Sequence, residues 1–220
     1  MKKTVYTLCV DQYMPDLCAL TLPNHAEYAE RIGADFQIIT KRWYPGWHPT
    51  YEKLQIYDLG QNNDWNIHID ADILIHPSLR DVTEGSLPWQ IRWYSIYDAS
   101  LYFACDRYFA RDQRKLGVCS SFLAVPSLCH EIWKPFSCSY EEALKGINKP
   151  HGIDDYCFSR NFAKYGLKGD FIFSEGDDTN WIQHLEVGGC DCPKEREMEI
   201  VQKAEKILFD WRKEQKADVT

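Results

Sequence analysis

Trp65-Asn-Ile-His-Ile-Asp70-Ala-Asp72-Ile-Leu-Ile-His-Pro77 is the stretch on which the reading of this chain turns. Its opening five residues are a short run of β-branched and aromatic residues, which reads as a buried strand over Trp65–Ile69. That strand runs directly into two aspartates. Side chains alternate along extended backbone, so Asp70 and Asp72 are expected on the same side. Two hard carboxylates at that separation suit Mg²⁺ or Mn²⁺, ions that bridge readily to phosphate oxygens. Ala71 between them keeps the turn small enough for a ligand to approach. A lone Asp-x-Asp is also the pattern of a solvated strand end, so its surroundings carry the weight.

Upstream, the chain alternates between two periods. Thr4–Val10 reads as a first strand. Pro15–Ile32 carries Leu17, Leu20, Ala26, Ala29 and Ile32 at helical spacing, with Gly33 as a stop. Phe36–Thr40 reads as a second strand, Arg42–Pro49 as an aromatic loop, and Tyr51–Leu59 as a helix ending at Gly60. Strand, helix, strand, helix, strand is the pattern of an α/β fold with a mainly parallel central sheet flanked by helices. In such a sheet, ligands bind beyond the carboxyl ends of the strands, which is where Asp70 and Asp72 fall.

Downstream the pattern is less regular. Trp89–Tyr97 and Val118–Val125 read as strands, the second with Ser120 and Ser121 in its middle. Asp154–Tyr165 reads as an amphipathic helix before Gly166, Phe171–Phe173 as a short strand, and Lys194–Lys216 as a closing helix. Without repeats or a convincing linker, residues 1–220 are expected to form one domain. Its parts are a nucleotide-binding half (1–75), a sugar and acceptor half (76–192) and a C-terminal helix (193–220).

The composition narrows the function. A 220-residue chain with 45% hydrophobic residues can bury a substantial core. The net charge of -8 argues against a phosphate-backbone binder, so no nucleic-acid partner is expected. Arg107, Arg111, Arg114 and Lys115 form a local basic group suited to a small anion or an acceptor. No apolar run approaches the roughly 20 residues of a membrane span. Met1–Val10 reads as a strand rather than a signal peptide, because Asp11 interrupts its apolar stretch. Nine scattered cysteines, an odd number, favour free thiols over a disulfide framework. Together these point to a cytoplasmic protein, with the charge-balanced last helix a weak candidate for peripheral membrane association.

The segment Trp65–Pro77 resembles the metal-binding segment of nucleotide-diphospho-sugar glycosyltransferases with the GT-A (Rossmann-like) fold. It is similar in particular to the glycogenin and bacterial galactosyltransferase-like group (family 8) and to the yeast mannosyltransferase-like group. Three further stretches carry the resemblance. Leu22-Pro23-Asn24 with Tyr28–Asp35 is similar to the first helix and second-strand entry. Tyr51-Glu-Lys-Leu54 places Lys53 where the family carries Lys or Arg. Trp181-Ile-Gln-His184, followed by Gly188-Gly189, resembles the family's His-x-x-Gly motif with a wider spacing.

The resemblance implies transfer of a hexose or related sugar from a nucleotide-diphospho-sugar, a UDP-sugar first, to a carbohydrate or other hydroxyl acceptor. It implies Mn²⁺ or Mg²⁺ held by Asp70, Asp72 and His184, with Asp70 also free to bind ribose. Lys53, Asp70 and Ala71 would face the nucleotide diphosphate. Asp11-Gln12-Tyr13 falls where the family seats the nucleobase, with Tyr13 stacking and Thr7, Cys9 and Asp11 lining the slot. Gly152-Ile-Asp-Asp-Tyr-Cys-Phe-Ser159 resembles the Asp-Gln-x-x-Leu-Asn stretch that heads an acceptor-side helix. Asp154 matches the aspartate, and Asp155 replaces the glutamine. These two are the candidate catalytic residues, as a nucleophile or as a base for the acceptor hydroxyl. Helix capping and dipole compensation are the ordinary uses of the same pair, and both stereochemical outcomes stay open. Cys119-Ser120-Ser121-Phe122 departs from the family's Asn-Ser/Ala-Gly, leaving the donor sugar open.

Two readings compete. A haloacid-dehalogenase-type phosphatase also uses Asp-x-Asp and a late acidic motif, like Gly176-Asp177-Asp178, but places the first after its first strand. A zinc-stabilised interaction domain could use Cys190 and Cys192 with His184 or another cysteine, although Cys-x-Cys lacks the usual paired spacing of structural zinc sites.

Overall fold

The computed structural model describes residues 1–94, 117–147, 150–173, 181–185 and 193–217. Strand β1 (Lys3–Leu8) leads into helix α1 (Pro15–Arg31), strand β2 (Asp35–Ile39), a 3₁₀ segment (Pro49–Gln55) and helix α2 (Ile56–Leu59). Strands β3 (Trp65–Ile69), β4 (Ile73–Ile75), β5 (Gln90–Tyr94) and β6 (Phe122–Pro126) follow. The chain continues through α3 (Tyr140–Leu144), α4 (Ile153–Lys164), β7 (Lys168–Phe171), β8 (Ile182–His184) and α5 (Lys194–Ala217).

Among the described residues, six strands form one sheet in the order β2-β1-β3-β6-β5-β7. The pairs β1–β2, β1–β3 and β5–β7 are parallel, while β6 runs antiparallel to β3 and β5. Burial explains the order. β3 and β6 are covered on both faces, whereas the edge strands β2 and β7 are largely exposed. Neighbouring residues point to opposite faces. Tyr6, Leu123 and Val125 join one apolar layer with the 3₁₀ segment and α4, while Val5, Phe122 and Ala124 join another with α1 and β4.

The first half follows its sequence signals closely. Pro15 opens α1, and Gly33, at φ 64°, closes it. Gly33 N–H donates to Glu30 O and Ala34 N–H to Ala29 O, the paired closure that a left-handed residue permits. The helix expected over Tyr51–Leu59 starts earlier, as the 3₁₀ turns at Pro49. In the second half, the strand expected at Val118–Val125 is shorter and shifted. Ser120 and Ser121 precede β6 rather than lying within it, which frees the polar groups of Ser120 for other partners. β5 covers Gln90–Tyr94 of the expected Trp89–Tyr97, and β7 meets the expected Phe171–Phe173 only at Phe171. Arg107, Arg111, Arg114, Lys115, Gly176–Asp178, Gly188, Gly189, Cys190 and Cys192 lie outside the described residues.

A second, two-stranded sheet pairs β4 with β8 antiparallel, aligning Ile73 with His184. Helix α1 serves β4 from its side chains. Asn24 Nδ2 donates to Ile75 O at 2.8 Å, its Oδ1 accepts from Ile75 N–H at 2.7 Å, and His25 Nε2 lies 2.8 Å from Ile73 O. Helix α5 packs on α1 through Met14, Leu17, Ile200, Ala204 and Trp211. No helix among the described residues is long and apolar enough to cross a membrane.

Asn24→Ala removes both partners of a buried strand residue. We expect it to cost about 2 kcal/mol in urea denaturation, while the exposed Glu27→Ala stays within about 0.5 kcal/mol. Equal stability of the two variants would refute this bridge.

Candidate active site at the end of the third strand

The Asp70-Ala-Asp72 segment is a turn, not a continuation of strand. Asp70 N–H donates to Ser121 O, and Ile73 N–H donates back to Asp70 O at 3.1 Å. The two carboxylates therefore take different partners, which corrects the expectation of one shared extended face. Asp70 meets Lys53, with Nζ–Oδ1 at 2.6 Å. Asp72 meets His184, with Oδ2–Nε2 at 3.2 Å.

Lys53 is almost wholly buried, at 3% exposure. Its ammonium sits 2.6 Å from Asp70 Oδ1 and 2.8 Å from both Asp154 Oδ2 and Ser120 Oγ. Three partners match its three donors, which is what keeps a buried ammonium charged. Burial alone would neutralise it, but Asp154 and Asp70 hold its pKa above the ordinary lysine value. The 3₁₀ turns aim it inward. His48 caps them through Thr50 N–H, and buried Glu52 accepts from the Trp43 and Tyr44 N–H groups and from Arg42 Nε.

Helix α4 delivers the second acidic pair. Asp154 accepts a further bond from Ser120 Oγ at 2.8 Å, and Asp155 Oδ1 accepts from Ser120 N–H at 2.8 Å. The two residues titrate apart. Burial pushes Asp154 up, but Lys53 and the Ser120 hydroxyl outweigh it and leave it below the usual carboxylate range. Burial and the neighbouring Asp154 charge raise Asp155 to about 7. Burial, with help from Asp72 and against the pull of Lys53, raises Asp70 to about 6. Beneath them His68 is fully buried. Its Nδ1 faces Ser120 O at 2.8 Å, and its Nε2 lies 3.8 Å from Asp70 Oδ1. Burial, then Lys53, keeps this ring neutral.

The remaining residues expected at a nucleotide seat are distributed unevenly. Thr7 is fully buried and its hydroxyl bonds to His25 Nδ1 at 2.9 Å, so it faces α1 rather than an open slot. Cys9 lies with its sulfur 3.3 Å from that of Cys18. Asp11 is exposed and held by Arg42 Nη1 at 2.6 Å. Tyr13 is partly buried and packs against the apolar cluster that includes Met14, Leu17 and Ile200. Ala71 is buried, 4% exposed, within the turn.

Donor chemistry at Asp72 and His184 fits a small divalent cation. Two atoms in adjacent octahedral positions about 2.1 Å from a metal lie about 3 Å apart, close to their 3.2 Å separation. Their neighbourhood is also acid-rich, because one lysine stands against Asp70, Asp154 and Asp155. Among the described residues, no group of three His, Cys, Asp or Glu side chains forms a ready cage. Asp70 is turned to Lys53 instead of completing such a trio with the other two.

Ser120 is noted in the sequence only within a stretch that departs from the family pattern, and His68 and Glu52 are passed over. Of these two, His68 carries a signal, since it stands two residues before Asp70 on the approach to the turn.

The sequence matches no protein-family model, and no curated protein matches it. Solved structures do resemble the fold. A β-1,4-galactosyltransferase 7 mutant from Drosophila, in complex with manganese, UDP-Gal and xylobiose, is similar over 90% of this chain and 79% of its own, with TM-score 0.50 and 13% identity. A glycosyltransferase involved in glycosylating the major capsid of PBCV-1 is similar over 91% of this chain and 98% of its own, with TM-score 0.51 and 10% identity. The chain has a GT-A-like glycosyltransferase fold, with a mixed α/β sheet flanked by helices.

Lys53→Met leaves a cluster of buried carboxylates without their cation. It should cost about 3–5 kcal/mol of folding stability at neutral pH, measured by chemical denaturation. A loss below 1 kcal/mol, on the scale of a surface ion pair, would show that Lys53 does not organise the cluster.

Proposed function

We propose that this protein is a metal-dependent glycosyltransferase that moves a hexose or related sugar from a nucleotide-diphospho-sugar, a UDP-sugar first, to a hydroxyl acceptor. The observation that carries this reading is the pairing of Asp72 with His184 beside the Lys53–Asp70–Asp154 cluster, beyond the carboxyl end of β3. The fold likeness supports it, as does the motif resemblance to the glycogenin-related and yeast mannosyltransferase-like groups. In this reading residues 1–75 bind the nucleotide, 76–192 serve sugar and acceptor, and 193–220 close the domain. The phosphatase alternative draws no support from the fold likeness.

Asp72 and His184 would hold Mn²⁺ or Mg²⁺, which when bound neutralises charge on a departing nucleoside diphosphate. Asp70 and Ala71 form the turn against which the diphosphate lies. Lys53 keeps Asp70 and Asp154 in place and offsets part of their charge on the diphosphate side. Asp11 and Tyr13, beyond β1, lie on the nucleobase side.

The acidic pair divides its labour. Asp154 is buried against Lys53 and Ser120, so it positions the head of α4. Asp155 is only partly buried, and with a pKa near 7 it is poised to take a proton from an acceptor hydroxyl. One available base beside one neutralised carboxylate favours a single displacement with inversion over a double displacement through Asp154.

A thermal-shift panel of UDP-, GDP- and TDP-sugars with and without Mn²⁺ should give metal-dependent stabilisation by at least one donor. At a ligand concentration about 100 times Kd, this amounts to about 2.7 kcal/mol. Asp72→Ala and His184→Ala should abolish it. A full panel without a shift, on folded protein, would sink the proposal.

With the responsive donor, Asp155→Asn should lower kcat by about 10²–10⁴-fold while the donor-induced shift persists. A base must be ionised to act, so wild-type activity should rise with pH up to about 7 and level off above it. A variant of wild-type kcat would reassign the base.

A further inference from the structure

At the β1–α1 connection, two cysteines face each other. Cys9 follows β1 and is partly exposed; Cys18 lies in the second turn of α1. Their sulfurs are 3.3 Å apart, and the Cys18 thiol also donates to Tyr13 O at 3.1 Å. Both line a solvent-open, mainly apolar cavity of about 540 Å³ whose walls include Tyr13, Pro15 and Leu22. A small oxidant can therefore reach the pair. The other buried cysteine thiols have different settings. Cys129 donates to Trp89 O, Cys157 to Lys134 O, and Cys119 contacts the Ser121 hydroxyl.

We propose that Cys9 and Cys18 are a redox modification site, a dithiol that closes reversibly to a disulfide across the β1–α1 connection. A disulfide requires the sulfurs to approach to about 2.05 Å, little more than an ångström closer than they are. The intervening chain bends sharply. Asp11, Gln12 and Met14 all have left-handed backbone, at φ 54°, 56° and 36°, so strand end and helix start are already folded back on one another. The hydrogen bond from Cys9 lowers the Cys18 pKa, against burial and the charges of Asp72 and Glu197, which suits Cys18 as the attacking thiolate.

With glutathione disulfide as oxidant, the steps balance. The Cys18 thiolate attacks one sulfur of glutathione disulfide, forming a mixed disulfide and expelling one glutathione thiolate. The Cys9 thiolate then attacks the Cys18 sulfur and expels the second glutathione. The two protein thiols lose two electrons and two protons, and the oxidant gains both as two glutathione thiols. The closed ring ties together the turn that bears Asp11 and Tyr13.

The inference stands independently of the proposed transfer reaction and is tested by chemistry alone. The full chain is equilibrated with glutathione disulfide, denatured with a maleimide present, and cleaved before aspartates. Cuts at Asp11 and Asp16 leave Cys9 and Cys18 on different peptides. We expect these peptides to be linked in the oxidised sample and separately alkylated after dithiothreitol. Cys9→Ala should instead accumulate a glutathione adduct on Cys18. Separate peptides from oxidised wild type, each alkylated or carrying its own glutathione, would overturn the proposal, as would linkage of either to another cysteine. The wild-type measurement decides even if the variant fails to fold.

Discussion

The Lys53 ammonium is the constraint around which this structure is arranged. A charge buried to that degree persists only when every donor is matched, and here the matches come from three separate parts of the chain. Asp70 ends β3, Ser120 precedes β6, and Asp154 heads α4. One side chain thus draws together β3, the strand that reverses the sheet direction, and the helix bearing the candidate base. Ser120 multiplies the effect. Its hydroxyl, N–H and carbonyl oxygen each take a different partner, Asp154, Asp155 and His68.

A second constraint acts from the opposite side. β4 is only three residues long and could not persist as a free strand. β8 pairs with one of its edges, and the side chains of Asn24 and His25 take up the polar groups of Ile73 and Ile75. That ladder sets Ile73 opposite His184, and Leu185 N–H adds a bond to Asp72 O. The Asp72–His184 pair is therefore a product of strand register. A slip by one residue would turn His184 to the other face.

The two halves differ in what they do with acidity. Around Lys53, positive charge is internal and the carboxylates are largely committed to it, while burial and then the Asp154 charge raise the pKa of Asp155 to about 7. Around Asp72, an imidazole stands next to the carboxylate, an arrangement a divalent cation can share. The Ile73 N–H to Asp70 O turn separates these roles within three residues. It sends the first aspartate to organise the protein and leaves the second beside His184.

The chain's own signals were enough for the α/β class, the first three strands and α1, because these rest on local matters: alternation of period, Pro15 at a helix start, Gly33 at its end. Asp70, Asp72, Lys53, His184, Asp154 and Asp155 could be singled out by residue type and by likeness to a family pattern. What the sequence could not say was which of them meet. The reversed direction of β6, the short β4–β8 ladder and the placing of Ser120 before its strand all depend on contacts between residues far apart in the sequence. Burial of Thr7 against His25 also needs packing, since a strand's inward face is known only once a helix covers it. Local periodicity determines which elements form. Only packing decides which charges share a buried space, because desolvation and pairing energies belong to the assembled neighbours and not to any one residue.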